Sequence, residues 1–179
     1  MATIIKKNLR GFTFVEVMMV MAIISIMAGI VAVSFKTGRV DKELETNARE
    51  FAGVLREAQN YALTGKVITG SGIPSGAVPC RFQVKWSGSS YKLIYYYKDA
   101  GGNCVSNSNS TIATYVLKNG VKFSNNSDES LSFTLPHADL DFSGGKIVKF
   151  IKQSSNYVVC ISVDGRVADQ SGLNCPVGF

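Results

Sequence analysis

The sequence predicts an α+β fold: a long N-terminal α-helix, half transmembrane and half amphipathic, packed on an antiparallel β-sheet domain of two sheets. Three observations predict it. From Phe12 to Val33 the chain runs 22 residues with one charge, Glu16, and only Thr13 and Ser25 as other polar side chains. After that, Leu44, Ala48, Phe51, Leu55, Ala58 and Ala62 recur at steps of four and three, the apolar stripe of an amphipathic helix. Past residue 76 the period drops to two, with Phe82, Val84 and Trp86 alternating with Arg81, Gln83 and Lys85.

The apolar run, 12–33, spans roughly 33 Å as a helix, enough to cross the hydrocarbon core of a bilayer. A carboxylate in such a span costs several kcal/mol unless it finds a partner. Ahead of it lies a basic leader, 1–11, carrying Lys6, Lys7 and Arg10. Those cations predict a leader retained in the cytoplasm and a chain that exits with its C-terminus outward. Three readings compete here. A secretory signal peptide could be cut after Ala32-Val33-Ser34, but its core would be shorter and free of charge. A plain one-pass anchor explains the length and leaves Glu16 unexplained. Cleavage before the apolar run, between Gly11 and Phe12, would leave the span on the mature protein.

The second helical half, 34–66, surrounds its stripe with Lys42, Glu43, Glu45, Arg49, Glu50, Arg56 and Glu57. Glu45 and Arg49 form an i,i+4 pair in the favourable order, worth a few tenths of a kcal/mol. The stripe is read as core, lying against the domain that follows. Gly29 and Gly38 are the weak points of the helix, and Gly65-Lys66 supplies its left-handed cap.

The remainder, 67–179, reads as the β domain. After the strand around Phe82–Trp86, Ser87-Gly88-Ser89-Ser90 turns the chain into Tyr91–Lys98. Further strands are expected at Thr111–Leu117, Val121–Ser124, Leu131–Leu135, Lys146–Lys152 and Tyr157–Val163. A short last one, Arg166–Ala168, follows the Asp164-Gly165 turn. Gly70 to Gly76, Gly101 to Ser110 and Asn125–Ser130 read as loops. No internal repeat divides the chain.

The leader, the Gly11-Phe12 junction and Glu16, five residues into the mature chain, resemble the class III signal of type IV pilins and type II secretion pseudopilins. The resemblance implies a pilin-like fold, with Gly11 as the residue after which a prepilin peptidase cuts. It makes Phe12 the N-methylated terminus and Glu16 the assembly carboxylate. An amine and a carboxylate are each costly in lipid, and pairing between neighbouring subunits offsets both costs. Within that superfamily the chain is most similar to the GspH/FimT type. Two further segments carry this likeness: Ala48-Arg49-Glu50-Phe51-Ala52-Gly53-Val54-Leu55-Arg56-Glu57-Ala58-Gln59 and Cys160-Ile161-Ser162-Val163-Asp164-Gly165-Arg166-Val167. Many pilins carry a proline near the end of the span, whereas none occurs here before Pro74. The implied role is structural: a minor pilin that joins other major or minor pilins in the bacterial inner membrane and helps to prime or cap a pilus. A secretion pseudopilin is the alternative. Some members with a second arginine two positions after the Gly-Arg pair bind DNA, and here that position is Ala168. DNA is therefore a partner the sequence does not favour, with Arg166, Lys146, Lys149 and Lys152 as its candidate contacts. The three lysines are three apart, so on a strand they point to alternating faces.

Four cysteines, Cys80, Cys104, Cys160 and Cys175, all lie beyond the span, as suits an exported domain with two disulfides. Three pairings are open, and Cys80–Cys104 with Cys160–Cys175 is favoured because each joins a strand to nearby chain. No Cys-x2–4-Cys spacing and a lone His137 argue against zinc. Asp139-Leu140-Asp141-Phe142-Ser143-Gly144 echoes half a calcium loop, but its twelfth position is Phe150 in place of a bidentate glutamate. Without a P-loop or Gly-x-Ser-x-Gly, neither an enzyme nor a cofactor is expected. Tyr95-Tyr96-Tyr97 is read as strand packing ahead of a base-stacking platform. The formal charge of +6 includes three leader cations, leaving +3, too little to imply nucleic acid.

Overall fold

The computed structural model describes residues 11–70, 72–142 and 144–176; the side chains of 32–37 lie outside that description. Lys6, Lys7 and Arg10 of the leader, the Ala32-Val33-Ser34 side chains, and Ser71 and Ser143 of two predicted turns are therefore outside the described residues. The chain falls into two compact units, one ending at Arg39 and one beginning at Val40. Helix α1, Phe14–Thr64, contributes to both.

Within the first unit, the 18-residue stretch Phe14–Val31 is long and apolar enough to cross a membrane, and none of it is buried. Its polar side chains are provided for locally. Ser25 Oγ donates to the Met21 carbonyl at 2.8 Å, so its hydroxyl enters the apolar stretch already satisfied. Thr13 caps the helix start, its Oγ1 accepting the Glu16 N–H at 3.3 Å.

Among the described residues of the second unit, nine strands follow α1. They are β1 (Pro79–Ser87), β2 (Ser90–Lys98), β3 (Cys104–Val116), β4 (Lys122–Phe123), β5 (Glu129–Thr134), β6 (Asp139–Leu140), β7 (Lys146–Lys152), β8 (Ser155–Ile161) and β9 (Val167–Ser171). They form two antiparallel sheets, ordered β3-β2-β1-β5-β6 and β4-β7-β8-β9. The whole helical stripe is core: Leu44, Ala48, Phe51, Leu55, Ala58 and Ala62 are buried. Phe51 shows why. Its ring sits 5.4 Å from Trp86 and 5.1 Å from Tyr91 of the five-stranded sheet, and 5.4 Å from Phe123 and 5.5 Å from Phe150 of the four-stranded one. One helical side chain thus closes the space between both sheets. Truncating a phenylalanine in such a setting costs about 3–5 kcal/mol.

The helix ends in a Schellman motif. Gly65 adopts φ 60°, Lys66 N–H donates to the Tyr61 carbonyl at 3.0 Å and Gly65 N–H to that of Ala62 at 3.4 Å. A second glycine has a packing reason: a Cβ on Gly165, at φ 80°, would lie 2.5 Å from Gln59 Nε2. The Asp164-Gly165 turn therefore comes close against α1.

Several expected boundaries need correction. The segment read as a loop from Gly101 to Ser110 is strand from Cys104 onward, and β3 ends at Val116 instead of Leu117. It is the edge of its sheet, so its Ser/Asn run faces solvent and lacks the alternation of a half-buried strand. For the same reason β9 is Val167–Ser171 and not Arg166–Ala168. β5 begins at Glu129, inside the predicted Asn125–Ser130 loop, and β8 ends at Ile161 instead of Val163. The two-residue β6 carries no periodic signal and was not expected.

Candidate assembly site at the N-terminus

Thr13-Phe14-Val15-Glu16 has the spacing of a capping box, which places Glu16 in the first turn of α1. There the carboxylate also faces the positive end of the helix dipole. Its surroundings are otherwise apolar. Phe12, Val17, Val20, Met21 and Ile24 line an open groove with Glu16, and Phe12 is 82% exposed. Along one helix face, then, a single carboxylate is set in a ridge of large apolar side chains that are exposed among the described residues. Gly11 and Phe12 lie just before the first turn, exposed and outside any regular element. Such a peptide is accessible to a protease, and a free amine at Phe12 would emerge close to the helix end. What this surface can do chemically is bind: it offers dispersion contacts to another apolar helix and one acceptor for a buried cation.

Comparison with known proteins bears on this same segment. Residues 6–32 match the family model of the prokaryotic N-terminal methylation motif. The chain carries a type IV pilin signal. Together with the apolar helix and the two antiparallel sheets, the motif is consistent with the type IV pilin and pseudopilin superfamily, and the family that carries this motif is structural. It implies processing by a prepilin peptidase, assembly with other pilins and anchoring in a membrane. No curated protein and no solved structure matches the chain.

The β-domain candidates are dispersed. Lys146 lies 3.6 Å from Glu129 Oε2, with its Nζ 4.8 Å from the Trp86 ring centroid. Lys152 pairs with Glu43 of α1. Both share the inward side of β7 with Val148 and Phe150, whereas Lys149 is exposed on the other side. Arg166, in the β8–β9 turn, donates to Asp164 Oδ2 at 2.7 Å. Asp164 is itself held below the usual carboxylate range, first by the Ser162 hydroxyl and then by Arg166. Lys146, Lys152 and Arg166 thus serve separate local contacts, and Lys149 lies on the opposite side of its strand from the other two lysines.

Disulfides join Cys80 to Cys104 and Cys160 to Cys175. Cys160 lies on β8 with its side chain buried, so the second bridge ties the tail after β9 to the four-stranded sheet. Among the described residues no group of three His, Cys, Asp or Glu side chains could hold a metal, and His137 is exposed. In the segment that echoes a calcium loop, Asp141 Oδ1 accepts the Ser132 N–H at 3.2 Å and Phe150 is fully buried. Tyr95 and Tyr96 are buried strand residues, Tyr95 donating to the Ala77 carbonyl at 3.2 Å.

One functional contact of the fold had no signal in the sequence. Asn47 stands beside the apolar stripe and is buried, its Nδ2 donating to the Glu43 carbonyl at 2.7 Å and its Oδ1 accepting the Lys118 N–H at 2.7 Å. Only long-range structure could reveal the second partner.

Proposed function

We propose that this chain is a GspH/FimT-type minor type IV pilin, a structural subunit that helps prime or cap a pilus at the bacterial inner membrane. The observation that carries the reading is Glu16, a lone carboxylate on an uncovered apolar helix face inside a matched methylation motif. On this reading prepilin peptidase cuts after Gly11 and Phe12 becomes the methylated terminus. Glu16 then accepts the N-terminal amine of a neighbouring subunit while the spans pack together. Buried charge acts as a register device: an apolar helix can slide along another, but an amine and a carboxylate stranded in lipid cost several kcal/mol until they meet. The basic leader stays in the cytoplasm and the β domain projects into the periplasm.

The alternative is a pseudopilin of type II secretion. The Cys160–Cys175 bridge favours the pilus, since a disulfide-closed tail is more usual among pilins. DNA capture through Arg166, Lys146, Lys149 and Lys152 would require those groups to act together, and each has its own local setting.

The test is Glu16→Ala in the native host. Processing at Gly11 should remain while pilus assembly falls sharply, because only the intersubunit pair is lost. Normal piliation in this variant would refute the role assigned to Glu16.

A further inference from the structure

The five-stranded sheet turns Phe82, Val84 and Trp86 of β1 inward, together with Tyr91, Leu93 and Tyr95 of β2. The alternate residues therefore line its opposite face. That face carries four cations, Arg81, Lys85, Lys92 and Lys98, against Asp128 and Asp139, the latter placed on it by register through Thr134 opposite Arg81. Lys85 and Lys92 stand directly opposite each other in the β1–β2 register, and like charges so placed weaken a sheet. One carboxylate serves both. Asp128 Oδ2 lies 2.7 Å from Lys85 Nζ, and its carboxyl is held low first by the hydrogen bond from Lys85, with the charge of Lys92 adding to the effect. Lys98 is exposed further along the same side of β2.

Arg81 completes the row about 13 Å from Lys85 along β1. Its guanidinium carbon lies 4.1 Å from the Tyr96 ring centroid, and its Nε is buried with no hydrogen-bond partner. The ring beneath is fixed in turn: Tyr96 Oη donates to Gln83 Oε1 at 2.9 Å, and Gln83 Nε2 donates to Ser132 Oγ at 3.0 Å. A planar cation is thus held in one orientation on a rigid sheet, the arrangement that suits a fork-shaped contact with an oxyanion. Beside it, register places Asn109 opposite Tyr96, Thr111 opposite Ile94 and Thr114 opposite Lys92, adding amide and hydroxyl groups to the same face.

We infer that this face binds an acidic polysaccharide, with Arg81, Lys85 and Lys92 on its oxyanions and Asn109, Thr111 and Thr114 on its hydroxyls. Charge complementarity selects an anionic partner. A nucleic acid fits less well, because a base needs an open ring to stack on. The aromatic ring of this face, Tyr96, is 8% exposed and lies under Arg81.

The test uses the full chain in detergent micelles, with binding to polygalacturonate, dextran phosphate, neutral dextran and oligodeoxythymidylate measured at low and high salt. At least one acidic polymer should bind at low salt and neutral dextran should not; the two acidic arms tell carboxylate from phosphate recognition. Lys92→Glu, at an exposed position, and Arg81→Gln should each weaken binding about tenfold or more. The double variant Lys122→Gln/Lys149→Gln, which removes two exposed cations from the other sheet, should bind within about twofold of the parent. Unchanged melting of each variant shows that the fold is intact. The inference is overturned if neither acidic polymer binds, or if the Lys122/Lys149 variant loses as much affinity as Lys92→Glu. It is equally overturned if oligodeoxythymidylate binds more tightly than both acidic polymers.

Discussion

Asn47 Oδ1 accepts the main-chain N–H of Lys118 at 2.7 Å, linking α1 to the segment that follows β3. Both Asn47 polar groups are spent on main chain, the amide donating to the Glu43 carbonyl at 2.7 Å, and the residue is 2% exposed. The bond to Glu43 stays within α1 and orients the Asn47 side chain, and the bond from Lys118 joins the helix to the sheet domain one turn from Phe51.

Replacing Asn47 by alanine leaves the Lys118 N–H without its acceptor in a partly buried setting. The loss should be about 1–3 kcal/mol, read from urea unfolding of the purified chain. The nearby Lys118–Glu50 pair is exposed, its side chains retaining 64% and 43% of their surface. Lys118→Gln should therefore change stability by less than about 1 kcal/mol.

The Cys160–Cys175 bridge closes a separation of 15 residues. In the chain-entropy account a loop of that size is worth about 3 kcal/mol. Cys160→Ala/Cys175→Ala should lower stability by that amount and release the chain after β9, seen as faster hydrogen exchange in Val167–Ser171. Unchanged exchange there would mean that the β8–β9 ladder alone holds the edge.

Acid and alkali should act through different groups. Burial first, and the contact with Asp169 second, push the Tyr157 phenol from the ordinary 10.0 up to about 12. An acid whose folded pKa is raised contributes stability below its unfolded pKa. That contribution is lost as pH rises from about 10 toward 12. Tyr157→Phe should flatten this alkaline decline, and a phenolate absorbance titration should lose one late-titrating group. Glu45, Asp128 and Asp164 have lowered values, led by hydrogen bonds from Lys42, Lys85 and Ser162 respectively. Their stabilisation is present above the usual carboxylate range and lost below it, so melting temperature should fall as pH drops under about 4.

How much of this was legible depended on periodicity. The stripe from Leu44 to Ala62 was readable because helical spacing and burial coincide at every position, and Gly65 because a left-handed cap favours glycine. β1 was readable because one face is core and the other solvent. β3 was not: as an edge strand it presents Ser, Asn and Thr to water, and its pattern is that of a loop. The partners of Asn47, Lys146 and Lys152 lie 71, 17 and 109 residues away in sequence, beyond any local pattern. At the N-terminus, the Gly11-Phe12 junction and Glu16 stand out in sequence because charge is so scarce across the span, and structure adds the capping geometry and the uncovered groove.

The central claim concerns where the mature chain begins. Intact mass and N-terminal peptide analysis of the protein from its native membrane fraction would decide it. The account predicts a chain that starts at N-methylated Phe12 and retains the apolar helix with Glu16. A mature chain starting near Phe35, after removal of the whole span, would contradict it and leave Glu16 no part in assembly.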